Sequence, residues 1–227
     1  AETIRTGAVS SPIDDAVEAV YAPLVKATFA TQFRAASRLG LKLGWQRLSG
    51  LRVLDLGAGC APWALALLAQ SEGARAVIND WPEIISHARE TVTAHGMTDR
   101  CEFLPGSFHE VDIPAESFDV VVLGHVCRTE GPDLTRALLA RAVSALKPGG
   151  KLLVPDYYAD NERRLNPFGV QMGMTMLANT RHGQTLTHEQ MVDWLREQSL
   201  VGIRLLEPIP FNTVYVAEKA RDSSAQA

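Results

Sequence analysis

Apolar positions along the chain fall into two alternating kinds of run. Val53–Leu56, 74–79, 101–104, 118–124 and 151–154 are short and almost continuously apolar, and are too brief for anything but strands buried on both faces. Between them the apolar residues recur at helical spacing, most plainly Leu134, Leu138, Leu139, Ala142 and Leu146. Pro62 and Pro82 stand where a helix begins and a proline's missing N–H costs nothing, and His95-Gly96 is a good helix stop. Ahead of the first strand, Ile13, Val17, Val20, Leu24 and Phe29, continuing through Phe33 to Leu43, predict one or two helices, with a break at Pro23. Strands alternating with helices over 51–155 mean a parallel sheet covered on both faces. After it, 168–177 reads as a methionine-bearing helix and Thr187 as the N-cap of a helix to Gln198. Val201–Leu206 and Asn212–Glu218 form a closing hairpin around Pro208 and Pro210. The expected fold is therefore α/β, doubly wound, with a mostly parallel seven-stranded sheet ending in an antiparallel hairpin. Residues 1–50 are assigned to a linker and helices, 51–220 to the sheet domain and 221–227 to a flexible tail.

Composition narrows the partners. The 227 residues suffice for one domain with a full core, and 46% hydrophobic with 21% charged residues is a globular balance. A net charge of −4 without a Lys/Arg run speaks against nucleic acid and anionic membrane. No apolar run approaches a membrane span, and no signal peptide precedes the domain. Three unpatterned cysteines, Cys60, Cys101 and Cys127, place the chain in a reducing cytoplasm and supply no metal-ligand spacing, so no metal site is expected.

The chemistry centres on Asp55-Leu-Gly-Ala-Gly59, which joins the first strand to the Pro62 helix. Gly57 and Gly59 sit where backbone turns sharply and a ligand can approach. A dinucleotide fingerprint would need a glycine where Pro62 stands, and a P-loop would need a Gly-Lys-Ser/Thr ending, whereas no lysine occurs between Lys42 and Lys147. Asp55 argues the same way, because a carboxylate repels phosphate but suits an ammonium and hydroxyls. Asp80, closing the second strand about 20 residues past the glycine turn, is placed to accept hydrogen bonds from a ribose. Trp81 could stack on an adenine or serve as a helix-cap hydrophobe.

This stretch resembles the first motif of class I S-adenosylmethionine-dependent methyltransferases, with Ala61 at the usual third glycine. The resemblance implies a Rossmann-like fold, an S-adenosylmethionine cofactor and a methyltransferase domain over 51–220. Asp80-Trp-Pro-Glu83, Phe103-Leu-Pro-Gly-Ser-Phe108, Leu146-Lys-Pro-Gly-Gly-Lys-Leu-Leu153 and 176–187 extend it to the catalytic domain of caffeate/acetylserotonin-type small-molecule O-methyltransferases. It implies cofactor contacts from Asp55, Gly57, Gly59, Asp80, Trp81, Ser107 and Phe108, with Ser107 standing where an adenine-contacting acid is usual. His109 reads as a solvated loop residue. It further implies a small-molecule acceptor, aromatic or polyketide-like, in a pocket walled by Tyr157, Met172, Met176 and Asn179, with Met174, Tyr158 and Phe168 as further lining candidates.

Two departures follow. The family's N-terminal dimerisation domain is missing and the chain starts at Ala1, which points to a fragment or short form and to a homodimer only if that domain lies outside this chain. Aligning back from the Lys-Pro-Gly-Gly turn puts Arg128 where the family has a histidine base, and arginine cannot remove a proton at neutral pH. His125 is the substitute base, with Asp156 either holding it or pairing with Arg128. Arg128 could instead bind an anionic group or stabilise an enolate. O-methylation leads, C-methylation assisted by Arg128 is the alternative, and a cyclase or hydroxylase that keeps the cofactor pocket is a third reading.

Overall fold

The computed structural model describes Arg5, Thr6, Val9, Pro12, Ile13 and residues 17–221. Most of the expected N-terminal arm, and 222–227 of the expected tail, lie outside the described residues. The elements in order are a π-turn (Val17–Tyr21), α1 (Ala22–Leu43), β1 (Arg52–Leu56), α2 (Pro62–Gln70), β2 (Arg75–Asp80), α3 (Pro82–Ala94), β3 (Cys101–Pro105), β4 (Phe118–Leu123), α4 (Cys127–Ala145), β5 (Leu146–Asp156), α5 (Pro167–Asn179), α6 (His188–Glu197), β6 (Leu200–Ile209) and β7 (Asn212–Lys219). One seven-stranded sheet runs β3-β2-β1-β4-β5-β7-β6. Its first five strands are parallel, while β7 lies antiparallel to both β5 and β6. This is the Rossmann-like doubly wound sheet with an antiparallel hairpin that the apolar pattern predicts.

Alternate residues of each strand feed two cores. Val53, Ala76, Val120, Val122, Leu153 and Val216 meet α1, α2 and α3 on one face. Leu54, Leu56, Val121, Leu123, Leu152 and Val154 meet α4 and α6 on the other. Helix α2 carries no charge because it has no wet side: Pro62 through Leu68 are all buried between sheet and α1. Each buried leucine there is worth about 1.5–3 kcal/mol in transfer terms.

Three local expectations are corrected. Pro23 does not break a helix; it occupies the first turn of α1, where no intrahelical bond is lost. The helix expected from the spacing of Leu134 to Leu146 begins earlier, at Cys127, with a kink at Gly131 (φ 71°, ψ −179°) just ahead of Pro132. The first turn after β4 is thus helical rather than loop. The Lys-Pro-Gly-Gly segment is taken into β5, since Phe118 pairs with Leu146 before the register shifts.

Candidate functional site

The strand ends and the turns after them enclose a cleft of about 660 Å³. It lies at the carboxyl edge of the parallel strands, where β1 and β4, neighbours in space, are followed by helices on opposite faces. At Gly57 (φ 66°) the chain turns, and a side chain there would collide with Val126. Ala61 (φ 60°) adopts the left-handed conformation immediately before α2, an arrangement that costs an alanine about 1–2 kcal/mol over glycine.

Two carboxylates flank this turn. Asp55 is fully buried, and its Oδ2 accepts from Ala64 N at 3.0 Å while Oδ1 has no partner among the described residues. Burial, with a smaller push from the charge of Asp80 and against the Ala64 hydrogen bond, raises its carboxyl to about 7. Asp80 accepts from Gly59 N at 2.7 Å through Oδ2 and from Trp81 N at 2.8 Å through Oδ1. Burial raises it to about 6 despite both bonds. Asp80 therefore pins the glycine turn to β2, and Asn79 does the same for the next loop, donating through Nδ2 to Leu104 O and Gly106 O. Trp81 caps α3, lines the cleft and meets Tyr21 edge to face at 5.5 Å. Ser107 and Phe108 line the same end.

At the end of β4, His125 adopts φ 63° and hangs its N–H on Pro155 O at 2.8 Å. Its Nε2 meets Gln32 Oε1 at 2.7 Å, so Nε2 carries the proton and Nδ1 the lone pair. That Nδ1 is buried, has no hydrogen bond among the described residues and stands 3.7 Å from Asp156 Oδ1. Burial and the Arg128 charge lower the imidazole pKa against the opposing pull of Asp156. Asp156 is instead locked to Arg128: Oδ1 accepts from Nη1 at 2.8 Å and Oδ2 from the Arg128 N–H at 3.1 Å. Burial pushes Asp156 up, but Arg128 and His125 together outweigh it and the carboxyl is held at about 2. Of the two arrangements open to Asp156, the arginine pair is the one formed. Arg128 also donates to His125 O at 2.8 Å, lies 5.2 Å from the Tyr157 ring centre, and keeps a buried Nε–H without a partner among the described residues.

Tyr157, Met172, Met176 and Asn179 line the far wall, joined by Thr175 and His182. Met174 does not line it and is 67% exposed. Tyr158 belongs to the core, its hydroxyl donating to Val154 O at 3.0 Å, and Phe168 packs edge to face on Tyr157 and lines a separate small cavity. Tyr157 and Tyr158, adjacent in an extended segment, point to opposite sides; that is why only the first reaches the cleft.

Four residues in or beside the cleft escape motif reading. Gln32 comes from α1, outside the sheet domain, yet its Oε1 accepts from both His125 and Asn212 Nδ2. A polar residue between Phe29, Phe33 and Ala36 on an apolar helix face was its signal. Trp63 lines the cleft with a buried Nε1–H that has no partner among the described residues. His109 is not a solvated loop residue: its Nε2 meets Glu130 Oε2 at 2.7 Å and both line the cleft. The partners lie 21 residues apart, a spacing with no local signature.

A methyltransferase-domain family model matches residues 53–150. The chain is 28% identical over 179 residues to the tetracenomycin polyketide synthesis 8-O-methyl transferase of Streptomyces glaucescens, covering 79% of this chain and 52% of that protein. It superposes with a TM-score of 0.84 on a Nostoc punctiforme protein solved as a candidate O-methyltransferase, at 22% identity, covering 96% of this chain and 66% of that one. Human N-acetylserotonin methyltransferase, solved in complex with S-adenosylmethionine, superposes at 0.77 and 20% identity, covering 96% of this chain and 65% of that one. The chain spans about half the length of the curated relatives it matches.

Proposed function

We propose, from the premise that residues 53–150 form a methyltransferase domain, that the chain binds S-adenosylmethionine and passes its methyl group to a hydroxyl oxygen of a small aromatic or polyketide-like acceptor. The observation that carries this reading is the pair of carboxylates on either side of the glycine turn, at one end of a cleft whose other end is lined by thioethers and aromatic rings. The residues fit that cofactor. Asp55 keeps a buried oxygen without a partner, which an ammonium would satisfy, and Asp80 keeps spare acceptor capacity for ribose hydroxyls.

When bound, the cofactor supplies an electrophilic methyl on a sulfonium. The chain's own part is to hold an acceptor oxygen in line with it, which by itself accounts for much of the acceleration in such displacements. Arg128 cannot serve as base, and Asp156 stays ionised in its grip. His125 holds its lone pair on a buried Nδ1 beside that pair, so His125, Arg128 and Asp156 act as one cluster beneath the acceptor. C-methylation is the second reading, favoured by the unpartnered Arg128 Nε–H, a donor for an enolate oxygen. Three free thiols suit a reducing cytoplasm, and no helix among the described residues is long and apolar enough to cross a membrane.

The test is calorimetric titration with S-adenosylmethionine and S-adenosylhomocysteine, followed by mass spectrometry of phenolic and polyketide acceptors. Saturable one-to-one binding and a mass gain of one methylene on an acceptor are expected. An absence of binding overturns the reading.

A further inference from the structure

We propose that Glu130, held in place by His109, is the group that reads the nucleobase of the cofactor by accepting a hydrogen bond from its 6-amino group. The inference rests on the S-adenosylmethionine reading above and adds a residue to it.

At the cleft end that holds Asp80, Trp81, Ser107 and Phe108, the side-chain acceptors each already receive one backbone N–H. Both Asp80 oxygens receive backbone N–H groups, Gly106 O receives the Asn79 amide, and the Ser107 hydroxyl receives the His109 N–H at 3.2 Å. Glu130 is different. Its side chain is only 16% exposed, it lines the cleft, and Oε2 takes the His109 Nε2–H at 2.7 Å. Among the described residues Glu130 has no second side-chain partner, and Oε1 is not enclosed, so its lone pairs stay open. The two residues are brought together from different elements. His109 follows Phe108 in the loop after β3. Glu130 lies on the single helical turn after β4, which Gly131 ends and which also carries Arg128. The bond joins the two sides of the cleft above the turn that Asn79 fixes.

A carboxylate can only accept, so the ligand edge it faces must donate. An adenine presents a 6-amino donor; a hypoxanthine presents a 6-oxo acceptor at the same place and would face the carboxylate with like polarity. A site built around such a bond rejects the analogue lacking it far more strongly than shape alone could. His109 is a positioning residue, since it acts through the carboxylate.

S-adenosylhomocysteine and S-inosylhomocysteine, titrated into the whole chain by calorimetry, test this directly. The wild-type chain should prefer the adenosyl compound by at least about tenfold, as expected for one charge-assisted bond. Glu130→Gln, which is isosteric and can turn an amide N–H toward the 6-oxo group, should reduce that preference about tenfold or more. Glu130→Ala should weaken the adenosyl compound and leave the inosyl compound no weaker. His109→Phe should move the preference in the same direction as Glu130→Gln while leaving the inosyl compound unaffected. If the wild-type chain binds the adenosyl compound but both Glu130 variants keep its preference, the assignment to Glu130 is overturned while the cofactor reading stands. If neither compound binds to the wild-type chain, the cofactor reading itself fails.

Discussion

Asp55 is the residue on which the charge of the cleft turns. Wholly buried, with burial as the larger cause and Asp80 adding to it, its carboxyl sits at about 7, well above the ordinary carboxylate range. Because the folded value lies above the unfolded one, its contribution to stability is complete below about pH 4 and is lost as pH rises through 7. Asp55→Asn should flatten that decline, read from urea midpoints of both proteins between pH 4 and 8. The same group gives a second, opposite trend in binding. An ammonium favours the ionised form, so S-adenosylmethionine affinity should tighten as pH climbs toward 7 and then level off, and calorimetry in buffers of different ionisation heat should detect a released proton. Asp156 runs the other way in stability: held at about 2 against burial by Arg128 and His125, it adds stability above its ordinary range and loses it as pH falls from 4 toward 2. At the proposed ribose position, Asp80→Ala should weaken cofactor binding by about 1.5–3 kcal/mol, part of it through release of the Gly59 and Trp81 N–H groups. An unchanged dissociation constant would remove Asp80 from the site.

Helix α1 shows how an element outside the parallel sheet governs the chemistry inside it. It packs Ala35, Ala36 and Leu39 into the same core as α2, and sends Gln32 to the end of β4 and the start of β7. Gln32→Ala leaves the His125 Nε2–H and the Asn212 amide buried and unpaired, a loss of about 1–3 kcal/mol per orphaned group. It should therefore lower the denaturant midpoint, and it should free His125 to change tautomer, which ring-proton and nitrogen shifts by NMR would report. The turn after β4 depends on a single backbone conformation. Gly131 at φ 71°, ψ −179° leaves no room for a side chain, because the His182 carbonyl occupies the place. Gly131→Ala should displace Arg128 and Glu130 together and cost at least about 1–3 kcal/mol. Turnover that survives this change would show that the turn is not required in this form.

For the whole molecule, ligand binding and folding are one equilibrium, since Asp55 and Asp80 form a site only when β1, β2 and α2 are assembled. Cofactor at a hundredfold its dissociation constant should stabilise the fold by about 2.7 kcal/mol, which is a rise of about 5–11 °C in melting temperature for a chain of this size. A melting curve indifferent to S-adenosylhomocysteine would contradict the cofactor reading independently of any acceptor.

What the linear chain determined is what short-range physics controls. The five apolar runs, the glycines at the end of the first, the prolines opening helices and the Thr187 cap each depend on a few neighbouring residues, and from them the layered sheet and the strand-end location of Asp55, Asp80 and Arg128 are legible. The start of α4 was not, because Pro132 and Gly131 look like a boundary, while the turn before them is held by the Arg128 N–H on Asp156 and the Thr135 hydroxyl on Cys127 O. Side-chain partnerships across the fold were decided by the tertiary structure alone. Asp156 could serve His125 or Arg128, and 2.8 Å against 3.7 Å settles which, while Gln32 reaches His125 across 93 residues and His109 reaches Glu130 across 21. Nothing in a local pattern encodes such distances; they follow from how two sheet faces and their covering helices close around one edge.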